Sequence, residues 1–469
     1  MNRTLRLESL SRARNQLSMV YGFDGLRFET SYWYNDVDLI ALEAKYGQFF
    51  MDKVYFHIMA FEANKLVSLR PDYIDLGPFA SFHTPQFERL WLKIVDGVWS
   101  QWRYEHNFFD YAGPKFMSEP IERVPQTTTV EPQSVEVLSF CGGGKDSLVT
   151  MKLLERAAIP HASLGYSHSI YGSARHQHQL IDGLLDHGPA VKRHQIFMYD
   201  SFVDAPVLEL MPELGVHEIL AAETPSSLFA ALPIVLQHGY RYLALGHEHS
   251  ANVGNLIWEM TGEDVNHQWG KSLEAEILLD EYLQSEFVSN CTYFSLLQPL
   301  YDVLIFNLLR RDSDAVAATH SCNIHKPWCG KCPKCAYVWL NYMAYLDPQL
   351  VNSIFKVNLF DLAENQRWFY QMLGLAEHTP FECIGQIAEA RLAFELCKRK
   401  GLTGQAMEMY KREFPALDIK PIIEKYLRIH HQQARIPPAM MANILPQMQG
   451  AARQALEYIK TLASADARF

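Results

Sequence analysis

The chain is poor in the features that mark several large protein classes. Only eight of its 469 residues are cysteine, too few for a disulfide scaffold of this length. Basic residues are the minority, with 42 Lys and Arg against 53 Asp and Glu and a formal charge of −11. Proteins that grip nucleic acid through its phosphates carry a basic excess, so non-specific DNA or RNA binding is disfavoured, although a local basic pocket for a small anion is compatible with the balance. No apolar run approaches the ~18 residues that span a bilayer. Phe229–Leu236 is short, and Leu296–Leu309 is interrupted by Gln298 and Asp302. Arg3, Arg6, Arg12 and Arg14 precede no apolar stretch of signal-peptide type. The expectation is a cytoplasmic protein with neither membrane nor nucleic acid as partner. Internal repeats and low-complexity tracts are absent as well.

What is present is an ordinary globular balance, 48% hydrophobic and 20% charged, at a length that suggests about two or three domains. Met1–Phe116 is rich in aromatics, among them Tyr32, Trp33, Tyr34, Trp91, Trp99 and Trp102; at this density they read as core. Ser118–Ser134 holds three prolines and three threonines without apolar periodicity, the composition of an extended linker. Beyond it, short β-prone runs at Val135–Phe140, His161–Tyr166, Arg193–Met198 and Arg241–Leu245 alternate with helical patterns at Ala174–Leu185 and Ser226–Gln237. That alternation predicts βαβ units and a parallel sheet. From Glu274 onward the pattern is mostly helical, with an amphipathic packing helix at Ile387–Leu396. The expected division is 1–125, 126–290 and 291–469. The expected fold class is α/β, a doubly wound parallel sheet with an α+β N-terminal domain and a mainly helical C-terminal part.

The first strand of the α/β region runs into Cys141-Gly142-Gly143-Gly144-Lys145-Asp146-Ser147. Three bare glycines let backbone N–H groups approach an anion, and the helix starting at Asp146 or Ser147 turns its positive end the same way. Lys145 adds charge and Ser147 a hydroxyl, which together make a nucleotide phosphate cradle. Neither the Walker nor the dinucleotide spacing is met. The string resembles the PP-loop ATP pyrophosphatase signature Ser-Gly-Gly-x-Asp-Ser, with Gly142 where the first Ser is usual. The resemblance implies a HUP-like doubly wound sheet and cleavage of ATP between its α- and β-phosphates with Mg²⁺. It also implies transfer of AMP to an oxygen nucleophile, and contact of the loop after the second strand, Tyr166 and Ser167, with the adenosine.

Four of the eight cysteines crowd into fourteen residues, as Cys322, Cys329, Cys332 and Cys335. Four thiolates at this spacing can wrap one tetrahedral ion, with Pro327, Gly330 and Pro333 supplying turns. Structural Zn²⁺ is preferred to an iron–sulfur cluster because nothing nearby suggests redox chemistry. His320 and His325 read as neighbours of the site rather than as ligands.

Longer strings narrow the resemblance. Gly246–Asn252, Val265–Ser272 with Glu276, Trp328–Cys335 and Pro380–Gly385 look like the C-terminal domain of the UDP-N-acetylmuramoyl-L-alanyl-L-glutamate epimerases. Trp99–Phe116 resembles that family's N-terminal domain more weakly, and the likeness runs from about Phe56 to Lys400. At Gly246-His247 the family string would have Ser-Asn. The resemblance implies an ATP-dependent isomerase of peptidoglycan precursor synthesis. It would adenylate the terminal carboxylate of a nucleotide-sugar peptide, a small-molecule partner, and then invert the α-carbon. Gly142–Ser147, Tyr166, Ser167, Gly246 and Glu248 would bind the nucleotide. Inversion needs groups on two faces whose pKa values lie near neutrality, which suits His267 and Cys383, with Lys271 gripping anionic groups and Glu382 as a further candidate. Two rivals are another PP-loop adenylating enzyme, such as a cyano-deazaguanine synthase or a tRNA thiolase, and a non-catalytic zinc-knuckle binding protein.

Overall fold

The computed structural model describes residues 3–216 and 222–465. Twelve strands are defined among the described residues. Three form an antiparallel meander, β1 (Thr4–Arg12), β2 (Gln16–Phe23) and β3 (Leu26–Tyr34). Two short ones follow, β4 (Tyr73–Asp75) and β5 (Lys115–Phe116). Then come β6 (Val137–Cys141), β7 (His161–Tyr166), β8 (Arg193–Asp200) and β9 (Tyr242–Leu245). A separate ribbon of β10 (Leu256–Trp258) and β11 (Glu263–Val265) precedes β12 (Thr292–Ser295).

Ten of these strands make one sheet in the order β12-β9-β6-β7-β8-β3-β2-β1-β4-β5. The first five are mutually parallel, and helices cross between them at Lys145–Arg156, Ala174–Leu185, Glu223–His238 and Leu273–Glu286. The strand order reverses between β6 and β9, so their C-terminal ends splay the following chain in opposite directions and open a crevice. The loops after Cys141 and Leu245 form its rim. The N-terminal meander continues the same sheet: β3 pairs antiparallel with β8, Thr30 opposite Asp200 and Tyr34 opposite Ile196.

Period-two alternation sorts the strand residues between two cores. Leu138, Leu164, Ile196 and Leu243 face one core with helices Gln48–Glu62 and Glu223–His238. Val137, Cys141, Ala244 and Phe294 face the other, with helices Lys145–Arg156, Asp302–Leu309 and Pro333–Tyr345. Trp91, Trp99, Trp102, Tyr32 and Tyr34 are buried core, as expected. The strand at His161–Tyr166 and the helix at Ala174–Leu185 have the bounds read from sequence. β12 lies inside the stretch expected to be helical. Tyr293, Phe294 and Ser295 are buried and Thr292 is half-buried, so no alternation of buried and exposed positions marks it as a strand. The last helix, Pro438–Ala465, packs through Met440, Ile444, Met448, Ala451, Ala455 and Ile459. No helix among the described residues is long and apolar enough to cross a membrane.

Candidate active site

The glycine loop caps β6 at the crevice. Gly143 has φ +85°, in the left-handed region. A Cβ on Gly143 would strike the His320 imidazole, and one on Gly144 would come to 2.8 Å from Ser321 Oγ. The His320 N–H donates to Gly143 O at 2.9 Å. Two of the glycines are therefore required by the arm leading into the cysteine cluster, which lies directly on the loop. Gly142 is open, with nothing within 4 Å of the position its Cβ would take. Two amides are already engaged: Gly142 N–H donates to Ser147 Oγ at 3.1 Å and Lys145 N–H to Ser321 Oγ at 3.4 Å.

Lys145 departs from its expected role. Its side chain is 1% exposed and its ammonium lies 2.6 Å from both Asp146 Oδ1 and Asp302 Oδ1. Burial disfavours the charge, but the two carboxylates outweigh burial and hold Lys145 protonated well above the ordinary range. The ammonium ties the glycine-loop helix to helix Asp302–Leu309 instead of facing the cleft. Ser167 is likewise committed, with its hydroxyl donating to Ile196 O at 3.2 Å and accepting from Met198 N–H at 3.3 Å. The Tyr166 ring lines the cleft, and its hydroxyl turns away to Tyr32 at 3.1 Å. Gly246 allows β9 to exit against the glycine-loop helix, since a Cβ there would lie 2.9 Å from Thr150 Oγ1.

Two clefts meet at Gly142. One, of about 200 Å³, is lined by Phe140, Leu164, Tyr166, His168 and His247. The other, of about 440 Å³, runs to His267, Lys271, Glu382 and Cys383. Gly142, Tyr171, Glu223, Thr224 and Lys326 line both. Asn266, Trp269 and Ser272 of the segment 266–272 line a third cavity, of about 780 Å³, with Asp96, Glu263, Asp264 and Glu274. Those carboxylates make it a poor seat for an anionic substrate.

At the far end of the second cleft, residues from two distant segments converge. Lys271 Nζ donates to Cys383 Sγ at 2.9 Å, and ring, carboxylate and thiol ligand atoms of His267, Glu382 and Cys383 lie within 4.8 Å of one another. Burial pushes the Cys383 thiol up, but Lys271, His267 and Lys334 outweigh it and bring it down to about 7. Burial lowers His267, and Cys383 with Glu382 more than reverses that, so its pKa is raised. The cluster thus sets a thiol brought near neutrality beside an imidazole whose protonated form its neighbours favour.

Local hydrogen bonds explain why these side chains stay in place. Asn255 Oδ1 accepts from His267 N–H at 3.0 Å, Asn266 Oδ1 from Gln268 N–H at 2.8 Å, and Gln101 Oε1 meets His267 Nδ1 at 2.5 Å. Gln268 Nε2 donates to Ile384 O at 2.9 Å, tying one segment to the other. Glu382 Oε1 accepts from Asn323 Nδ2 and from Cys383 N–H, both at 2.8 Å, so that oxygen shapes the thiol loop. Glu248 is buried. Burial would raise its carboxyl, but Lys145, Lys271 and Lys334 outweigh burial and hold it below the usual range. Gln101 and Lys326 had no motif to reveal them in the sequence.

The four clustered cysteines converge as expected. Cys322 and Cys332 sulfurs are 3.8 Å apart, as are those of Cys329 and Cys335, and all four lie within 4.8 Å of one another. A tetrahedron with Zn–S bonds of about 2.3 Å has edges of about 3.8 Å, so the set fits Zn²⁺. N–H groups of Ile324, His325, Lys331 and Cys335 point at the sulfurs at 3.3–3.4 Å, which suits thiolates.

Comparison with known proteins bears on what this site belongs to. Residues 226–296 match the family model for the MurL N-terminal domain, and residues 317–412 match that for the MurL C-terminal domain. Over those two stretches the chain is similar to the MurL proteins. The MurL N-terminal match contains Gly246–Asn252 and Val265–Glu276, which the sequence reading had placed in the C-terminal domain; Trp99–Phe116 and the glycine loop fall outside both matches. Three relatives are named UDP-N-acetyl-alpha-D-muramoyl-L-alanyl-L-glutamate epimerase. A Micromonospora protein is 28% identical over 59% of this chain and 60% of its own length. One from Xanthomonas oryzae is 27% identical over 66% and 68%, and one from Salinispora tropica 28% over 55% of each. The chain thus spans about three fifths of the length of the first of these. No solved structure matches.

Proposed function

We propose that the protein is an ATP-dependent epimerase that adenylates the terminal carboxylate of UDP-MurNAc-L-Ala-L-Glu, or a closely related peptide, and inverts the adjacent α-carbon. The observation that supports this best is the Lys271–Cys383–His267 cluster in the same cleft as Gly142. ATP would lie with its adenosine beside Tyr166 and its phosphates at Gly142. There the Ser147 hydroxyl can turn from accepting the Gly142 amide to donating to phosphate. A carboxylate oxygen attacks the α-phosphorus, the bond to the bridging oxygen breaks, and pyrophosphate leaves with the electron pair.

Adenylation is what makes inversion feasible. Removing an α-proton beside a carboxylate would put two negative charges together, whereas the mixed anhydride is neutral at that carbon and its enolate is stabilised by the nearby Lys271 ammonium. The Cys383–His267 pair, in contact, takes the α-proton from one face, water supplies a proton on the opposite face, and water then releases AMP. Mg²⁺ would screen the phosphate charge, and Zn²⁺ on the four cysteines would supply cross-links only. In this reading residues 1–125 form the substrate side, 126–290 hold the nucleotide and 291–469 bear the knuckle, with one sheet running across both divisions through β3 and β12.

The test is incubation of the dipeptide with ATP and Mg²⁺, followed by chiral analysis of the glutamate. The wild-type protein should yield D-Glu with AMP and pyrophosphate. Cys383→Ala should still release pyrophosphate while inversion slows by about 10²-fold or more. Unchanged stereochemistry with ATP left intact would remove the proposal.

A further inference from the structure

Burying the Lys145 ammonium between Asp146 and Asp302 leaves the glycine loop without the cation its sequence promises. A polyphosphate carries several negative charges, and two of the loop's amides are engaged by hydroxyls. The charge must be met from elsewhere. Among the lysines described above, only Lys326 lines both clefts, alongside Gly142. Its ammonium has weak neutral company: His320 O at 3.5 Å and the face of Tyr171, whose ring centre is 5.0 Å away. Among the described residues no carboxylate stands within ion-pair distance of it; Glu223, which acts on it from further off, accepts the Tyr171 hydroxyl at 3.0 Å.

The position of Lys326 is set by the cysteine cluster. Lys326 lies between Cys322 and Cys329, in the arm whose His320 N–H bonds Gly143 O and whose Asn323 bonds Glu382. That arm therefore touches the glycine loop at one end and the thiol loop further along, and it holds Lys326 over the seam between the clefts. We propose that Lys326 is the cation that binds the phosphate chain of the nucleotide, in the role the sequence suggests for Lys145. This rests on the adenylation reading above and adds the residue that receives the phosphates. An ammonium with neutral neighbours gains a charge-assisted hydrogen bond from each phosphate oxygen it meets, without giving up an existing ion pair.

The experiment uses the full chain with Lys326→Met and Lys326→Arg, measuring binding of Mg·ATP and of inorganic pyrophosphate by calorimetry. Lys326→Met should weaken both by about tenfold or more, Lys326→Arg should recover most of the loss, and the KM for the muramoyl dipeptide should change far less. Zinc content and thermal midpoint should match the wild type. A second measurement needs no variant: Mg·ATP should slow acetylation of Lys326 in the wild-type protein, read by mass spectrometry, and leave exposed Lys356 unaffected. Undiminished ATP and pyrophosphate binding in Lys326→Met, or a loss confined to the peptide KM, overturns the inference alone. If the wild-type protein binds no ATP, the adenylation reading falls and this inference falls with it.

Discussion

Cys383 shows how a neighbour sets a residue's chemistry. An isolated buried thiol would titrate above its ordinary value, yet Lys271 at 2.9 Å and His267 bring this one to about 7. Alkylation by iodoacetamide tracks the thiolate, so its rate should be half-maximal near pH 7, and Lys271→Met should move that midpoint up toward 9. The same shift bears on stability. The folded thiol has the lower pKa, so between about 7 and 9 the unfolded chain binds more protons at this site, and stability rises with pH there. The contribution is complete above the unfolded value and is lost as pH falls through 7, which urea midpoints across that range would register. The sequence offered His267 and Cys383 as candidates because the proposed inversion would call for near-neutral groups. Their contact was not readable, since 116 positions separate Cys383 from His267 along the chain.

At the scale of elements, the Lys145–Asp302 pair joins the N-terminal turn of helix Lys145–Arg156 to that of helix Asp302–Leu309. Tyr337 OH completes the arrangement by donating to Asp302 Oδ2 at 2.9 Å. Losing Asp302 would leave the buried ammonium only Asp146 as a counter-charge in contact and strip Tyr337 OH of its acceptor. Asp302→Leu should therefore cost about 1–3 kcal/mol, measured by urea unfolding, a loss larger than an exposed pair would give. The sequence reading of Lys145 failed because a lysine after a glycine loop looks the same whether its ammonium meets a phosphate or a buried carboxylate. Asp302 appeared only as an interruption in an apolar run. Helices and strands with clear periodicity were legible nearly to the residue, whereas β12 was not, because a strand buried on both faces has no alternation to read.

At the scale of the whole molecule, the cysteine cluster links the two ends of the cleft. Its entry arm touches Gly143 and Ser321 bonds the Lys145 amide, while Asn323 holds Glu382. Stripping the metal with a chelator should release about one Zn²⁺ per chain, lower the thermal midpoint and weaken Mg·ATP binding together, because the arm carries His320, Ser321 and Lys326. Retained ATP affinity in zinc-free, folded protein would show the arm holding its place without the metal. The alternation of short β-prone runs with helical patterns determined four of the five parallel strands, all but β12, since side-chain period is a local property of the chain. The spacing of the four cysteines determined the knuckle, since ligands a few residues apart need no distant partner. Tertiary structure alone decided that the N-terminal meander extends that sheet through β3 and β8, that Lys145 is buried against Asp302 while Lys326 reaches the seam, and that Cys383 meets Lys271. Each of these depends on a contact between segments far apart in sequence, and local pattern carries no information about which distant side chain will arrive.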